Sequence, residues 1–110
     1  MTVSHFAILE HEENGWVHLV LTGELDVASA SALGDRLSQL AAHKAAVRLD
    51  LSRLEFIDCT GLHAVTRAIG DAQSNGWRLQ IDRHINHHVA RLLELARFER
   101  LIAGYDSDGG

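Results

Sequence analysis

The sequence Phe56-Ile57-Asp58-Cys59-Thr60-Gly61-Leu62, called the elbow below, sets the architecture of this chain. An apolar strand pattern passes there through a short polar turn into a helical pattern. The turn offers a carboxylate, a thiol and a hydroxyl at consecutive positions. Because unpaired backbone N–H groups and the helix dipole favour negative charge at a helix start, a phosphate added at the elbow would be stabilised there.

The residues before the elbow predict an antiparallel hairpin followed by one helix. Alternating apolar residues indicate two strands, at residues 6–10 and 16–22. Asn14-Gly15 between them supplies the positive φ angles of a tight hairpin turn. Gly23 is predicted to end the second strand, and Asp26 is predicted to cap a helix over residues 28–42.

The residues around and after the elbow predict strands that alternate with helices. Residues 47–52 alternate as a strand does, and helical spacing runs from Thr60 until Asn75-Gly76 ends it. A strand at 77–81 follows, and Asn86 can cap a last helix. The order predicts an α/β fold, in which a mixed sheet begins with the N-terminal hairpin and is covered by helices through right-handed crossovers.

Length and composition predict a single domain over residues 1–110, with a core at about 3–105 and a polar tail at 106–110. A net charge of −5 argues against nucleic-acid binding by phosphate neutralisation. One cysteine cannot form an intramolecular disulfide, and no signal-peptide pattern or long apolar run appears. We expect a cytoplasmic protein, monomeric or weakly dimeric, whose partner is a protein and not a membrane.

Several motifs together make the chain resemble a known family. They are the elbow itself, Leu21-Thr22-Gly23-Glu24-Leu25-Asp26, Leu49-Asp50-Leu51-Ser52, and, more weakly, Asn75-Gly76 and Val89-Ala90-Arg91-Leu92-Leu93-Glu94-Leu95. With these motifs the chain resembles the STAS domains from Val17 to Tyr105, in particular the bacterial anti-sigma factor antagonists. The resemblance implies binding to an anti-sigma factor of the serine-kinase ATPase type, which frees a sigma factor. In that family the kinase phosphorylates the elbow and the antagonist then dissociates.

The elbow departs from the family's usual Asp-Ser-Ser/Thr-Gly. Cys59 stands at the first hydroxyl position, which is the usual phosphate acceptor, and Thr60 stands at the second. Asp26 and Asp58 match the acidic residues that flank the family's site. Three hypotheses follow: Thr60 accepts the phosphate instead, the antagonist cannot be switched off, or Cys59 is a redox switch because a thiol at a helix N-terminus can be reactive. The last hypothesis competes with Cys59 being a small, inert residue in a tight turn.

The predicted partner surface lies where the elbow meets the loop after the second strand, because crossover geometry brings both to one edge of the sheet. Asp58 or Thr60 could cap the following helix, and Gly61 would allow another group to approach closely. The residues predicted for partner binding are Asp26, Ser29, Asp58, Gly61 and Leu62, with Thr60 and Cys59 as the switch. A STAS interaction or scaffold domain without phosphate control is the alternative function.

The sequence does not predict an enzyme. It contains no phosphate-cradling glycine loop and no nucleophile with an oriented histidine, and we predict no cofactor and no metal. His84, His87 and His88 have ligand-like spacing, but His84 precedes the predicted helix cap, so a solvated helix start is favoured over a metal site. Trp16 and Trp77 are predicted to cover edges of the core.

Overall fold

The computed structural model describes residues 5–82 and residues 90 and 91. Within them the predicted α/β fold is confirmed as a mixed domain with a five-stranded sheet, in which two separate strands precede the elbow where the predicted order has one. The elements are β1 (Ala7–Glu13), β2 (Trp16–Leu25), α1 (Ala30–Ala42), β3 (Ala46–Asp50), β4 (Leu54–Ile57), α2 (Cys59–Asn75) and β5 (Arg78–Ile81). The predicted helix after Asn86 lies outside the described residues, apart from Ala90 and Arg91, which are helical.

The central strand of the sheet is β2. It pairs antiparallel with β1, from Ala7 opposite Thr22 to Glu13 opposite Trp16. Asn14 and Gly15 join these strands with φ angles of 54° and 82°, which confirms the predicted hairpin turn. The strands β3 and β4 both run parallel to β2, and β5 continues the sheet beyond β3.

The strand β2 is longer than the sequence predicts, and the prediction that Gly23 ends it is wrong. Gly23 lies within the strand at φ 82°, and the pairing with β4 shifts register between Gly23 and Glu24. A β-carbon at Gly23 would collide with the backbone of His5. The glycine therefore allows a bulge, and because β4 supplies new backbone partners beyond it, the strand continues to Leu25.

The core lies between one face of the sheet and the two helices, and it confirms the predicted apolar stripes. Alternate residues of β2 and β3 are buried on that face. The buried core includes Leu19, Leu21 and Leu25 of β2, Val47 and Leu49 of β3, Ile57 of β4, Ile81 of β5, Leu33 and Leu37 of α1, and Leu62, Val65 and Ile69 of α2. No helix among the described residues is long and apolar enough to cross a membrane.

Two polar contacts tie the helices to the sheet edges. Arg36 of α1 donates from Nε and Nη2 to both carboxylate oxygens of Glu10, at 2.8 and 2.6 Å. This side-chain hydrogen bond lowers the pKa of the Glu10 carboxyl below its ordinary value. Trp77 is buried beside α2, as predicted for a residue at the edge of the core, and its Nε1 donates to Asp71 at 2.7 Å.

Candidate functional site

The elbow connects β4 to α2 through one extended residue. Asp58 has φ −105° and ψ −176°, and its carboxylate accepts a hydrogen bond of 2.9 Å from the backbone N–H of Gly61. Asp58 is therefore the N-cap of α2, which decides between the two caps that the sequence left open. Thr60 lies inside the first turn of the helix, and its side chain is exposed.

Gly61 holds the elbow against the end of β2. It is buried, and a β-carbon there would collide with the carbonyl oxygen and the side chain of Leu25. The same carbonyl oxygen accepts a hydrogen bond of 3.1 Å from the N–H of Asp58. The predicted close approach at Gly61 is confirmed, because the start of α2 packs directly on the backbone of β2.

The loop from Asp26 to Ser29 lies beside the elbow and is held by its own hydrogen bonds. The Asp26 carboxylate accepts from the N–H groups of Ala28 and Ser29, at 3.0 and 3.2 Å. The Asp26 carbonyl oxygen accepts from the N–H of Ala30 at 2.8 Å. The N-cap of α1 is Ser29, which makes no side-chain cap bond, so the prediction that Asp26 caps this helix is wrong. Asp26 instead orders the turn that precedes α1.

Ser29 was predicted for the partner surface, and its burial corrects that placement. The residue is 8% exposed. Its hydroxyl donates to the carbonyl oxygen of Glu24 at 2.7 Å and accepts from the N–H of Asp26 at 2.9 Å. These bonds occupy the hydroxyl inside the loop, so Ser29 shapes the surface from beneath. Gly61 and Leu62 are likewise buried and support the elbow in the same way.

The sheet register brings the two acidic residues together. Leu25, the last residue of β2, pairs in parallel with Ile57, the last residue of β4, so Asp26 and Asp58 directly follow neighbouring strand ends. Both are partly exposed. We call the exposed residues around this point the elbow surface: Asp26, Val27, Asp58, Cys59 and Thr60. Val27 is 73% exposed, which gives the surface an apolar contact beside the two carboxylates.

The two switch candidates are both accessible. Cys59 is an exposed free thiol at the first position of α2, and the exposed hydroxyl of Thr60 follows it. Within the described part of the chain, no side-chain hydrogen bond engages the Thr60 hydroxyl. A modifying enzyme could therefore reach either group. The N-terminus of α2 would stabilise an added negative charge, whereas the two carboxylates would repel it.

A groove between α1 and α2 continues from the elbow surface, and the sequence analysis missed it. Its volume is about 620 Å³, and Thr60 lines it together with His63 and Arg67 of α2. Small residues keep the groove open at a spacing of four on each helix: Ala30, Gly34 and Ser38 on α1, and Thr60, Ala64 and Ala68 on α2. That spacing is visible in the sequence, but only the packing of the two helices places both rows side by side.

The histidines at 84, 87 and 88 lie outside the described residues. That they form a solvated helix start, in preference to a metal site, therefore stays a prediction from the sequence.

A family model described as "Mlab, STAS domain" matches residues 9–103. A search among curated proteins finds no match.

Three solved structures are similar to the chain. An anti-sigma factor antagonist from Mycobacterium paratuberculosis matches with a TM-score of 0.76 and 20% identity, over 96% of this chain and 89% of that one. A candidate antagonist from Thermotoga maritima matches with a TM-score of 0.74 and 21% identity, over 93% and 88%. The Bacillus cell fate determinant SpoIIAA in its phosphorylated form matches with a TM-score of 0.68 and 15% identity, over 94% of both chains. At these identities the likeness establishes a shared fold.

Proposed function

Because the chain belongs to the STAS domain family, we propose that it is an anti-sigma factor antagonist. It binds an anti-sigma factor of the serine-kinase ATPase type through the elbow surface and thereby releases a sigma factor. We expect the protein to act in the cytoplasm, as a monomer or weak dimer, and this role requires no catalytic residue or cofactor. The observation that carries the proposal is the elbow, where the exposed Cys59 and Thr60 begin α2 beside the two carboxylates.

A phosphate at the elbow would change the charge of the proposed contact surface. It adds about −1.5 to −2 charges next to Asp58 and Asp26. Repulsion would then oppose any partner surface that is itself acidic or that fits closely over the first turn of α2. Coupling free energies of such switches are about 1–3 kcal/mol, which corresponds to a change in affinity of about 5- to 150-fold. This is enough to move a partner from one binder to another.

The position of the acceptor decides whether this switch operates. One step along a helix turns a side chain by about 100° and advances it by about 1.5 Å. A kinase that aligns its phosphate with position 59 would therefore meet the Thr60 hydroxyl in a different direction. Either the kinase of this protein accepts Thr60, or the antagonist stays active and its control lies elsewhere. The accessibility of the Thr60 hydroxyl supports the first outcome.

The test combines phosphorylation with binding. The purified chain is incubated with ATP and each ATPase-type serine kinase encoded in its own genome. Mass spectrometry then locates any phosphate, and calorimetry measures complex formation. Thr60→Ala removes the proposed acceptor, and Thr66→Ala is the matched control on the same helix, where the hydroxyl already donates to the carbonyl oxygen of His63 at 3.0 Å.

The outcomes separate the hypotheses. Phosphate on Thr60 with loss of binding supports the displaced switch, and Thr60→Ala should then bind permanently while Thr66→Ala behaves like the wild type. Tight binding without any phosphate supports an antagonist that is not switched off, or a STAS interaction domain free of phosphate control. If no such kinase binds the chain, the proposed function is wrong.

The exposed thiol favours one second candidate, a redox sensor through Cys59. Oxidation of an accessible thiol would alter the elbow surface without any kinase. Peroxide should then change partner binding by the wild type and leave Cys59→Ser unaffected. If instead Cys59→Ser becomes phosphorylated at residue 59, the cysteine blocks a phosphate switch that the rest of the elbow still supports.

A further inference from the structure

A second group of ligand-type side chains lies on the hairpin, away from the elbow. It consists of His11 and Glu13 on β1 and His18 on β2, and we call it the hairpin cluster. One ligand atom from each residue lies within 4.8 Å of the other two. The rings of His11 and His18 stack with their centroids 4.7 Å apart, and Nε2 of His11 lies 3.7 Å from Oε1 of Glu13.

The hairpin turn produces this arrangement. A two-residue turn at Asn14-Gly15 pairs Glu13 with Trp16 and therefore His11 with His18. Residues directly opposite each other have β-carbons about 4.5–5.5 Å apart, and residues two apart on one strand share a face. All three side chains consequently project from the same face of the sheet. This face is opposite to the core, because the core-facing residues of β2 are the odd-numbered ones.

From this geometry we propose that the hairpin cluster binds a divalent transition-metal ion of the Zn²⁺ type. Two imidazole nitrogens and one carboxylate oxygen are a ligand set that suits zinc, and water would complete the coordination. A tetrahedral zinc ion needs ligand atoms about 3.3 Å apart, at about 2.0–2.1 Å from the metal. The pair His11 and Glu13, at 3.7 Å, is already close to this spacing, whereas the widest separation in the cluster, at most 4.8 Å, must shrink by up to about 1.5 Å as the rings turn out of their stack. His11 and Glu13 are exposed, so their side-chain torsions can rotate in solvent.

A neighbouring positive charge lowers the affinity that the hairpin cluster can have for a metal cation. Arg48 stands beside His18 in the sheet register and brings a positive charge to the same face. Its guanidinium donates to Gln80 at 2.9 Å and lies 5.3 Å from the centre of the Trp16 ring. These contacts engage the guanidinium with Gln80 and Trp16, and solvent screens its charge at this exposed face. The metal would link the edge strand β1 to β2 at His18, which lies about 23 Å along the strand from Leu25 and the elbow.

Zinc titration of untagged protein tests the proposal. Because His84, His87 and His88 could bind zinc themselves, every measurement uses a background variant in which all three are replaced by glutamine. Isothermal titration with ZnCl₂ gives stoichiometry and affinity, and Co²⁺ absorption reports the ligand set. In this background His11→Gln and His18→Gln remove the proposed ligands, and His63→Gln is the control, since His63 is an exposed histidine on α2. Circular dichroism checks that each variant folds.

We expect one zinc ion per chain in the background variant and a loss of affinity of more than about tenfold in His11→Gln and in His18→Gln. Glu13→Gln should weaken binding, and His63→Gln should leave it unchanged. Added zinc should raise the melting temperature of the background variant but not that of His18→Gln. Absence of zinc binding in the background variant, or binding that survives both hairpin substitutions, would overturn the proposal. Neither result bears on the elbow, because the two sites share no residue.

Discussion

Replacing Gly61 by alanine should destabilise the fold at the point where α2 packs on β2. The new β-carbon would come within 3.0 Å of three atoms of Leu25, two of them in the backbone. That backbone cannot move freely, because its carbonyl oxygen accepts the hydrogen bond from Asp58 and its strand pairs with β4. Either α2 shifts away from the sheet or the end of β2 distorts.

The magnitude follows from three contributions. Overpacking of a rigid contact costs about 1–3 kcal/mol. Weakening the hydrogen bond from Asp58 to Leu25 costs about 1 kcal/mol more. Alanine is a better helix former than glycine by about 1 kcal/mol, which offsets part of the loss. We therefore expect a net decrease of about 1–3 kcal/mol in the free energy of unfolding.

The matched control is Gly70→Ala in the same helix. No atom lies within 4 Å of a β-carbon built at Gly70, so only the helix-forming gain applies, and this variant should be stabilised by up to about 1 kcal/mol. Urea denaturation followed by tryptophan fluorescence measures both variants against the wild type. If Gly61→Ala unfolds at the same urea concentration as Gly70→Ala, the packing of the elbow on Leu25 is not as described.

Three further predictions concern the elbow and the edge of the sheet. Asp58→Ala should lose the N-cap and about 1 kcal/mol of stability in urea denaturation, whereas Asp58→Ser should recover most of it, and equal losses would argue against capping. Because Arg36 lowers the pKa of the Glu10 carboxyl, their pair stabilises the fold above the ordinary glutamate pKa and loses this contribution as the pH falls through the lowered value. The small stability advantage of the wild type over Arg36→Gln should accordingly shrink in acid, and an advantage that grows there would contradict the pairing. Cys59 should react stoichiometrically with a thiol reagent in the folded protein, and Cys59→Ser should change stability by less than about 0.5 kcal/mol; a thiol that reacts only after denaturation would contradict its exposure.

The sequence predicted the features that depend on local signals. The Asn14-Gly15 turn requires positive φ angles that these two residue types tolerate, and the hairpin follows from it. The helical spacing after the elbow predicted the buried face of α2, and Gly76 ends that helix in the left-handed conformation. Asp58 was one of two possible caps, and the structure selects it because its extended backbone directs the carboxylate to the N–H of Gly61.

The sequence did not predict features that depend on distant partners. Gly23 reads as a strand end when only its neighbours in the chain are considered. In the folded chain β4 offers backbone partners beyond it, and the strand continues through a bulge. Ser29 reads as an exposed hydroxyl, but its bonds to Glu24 and Asp26 turn it inward. In both cases the conformation depends on a contact that forms only in the folded chain: the pairing with β4 for Gly23, and the hydrogen bonds within the loop for Ser29.

The sequence alone was sufficient for the α/β fold, the hairpin and the elbow with its unusual cysteine, because turn types, caps and apolar periods are properties of a few consecutive residues. Tertiary structure decided which of these residues meet. The pairing of β2 with β4 places Asp26 beside Asp58, the packing of α1 on α2 forms the groove, and the hairpin register sets His11 opposite His18. These proximities depend on strand register and helix packing. Within the sheet, a register shift of one residue would turn each side chain to the other face.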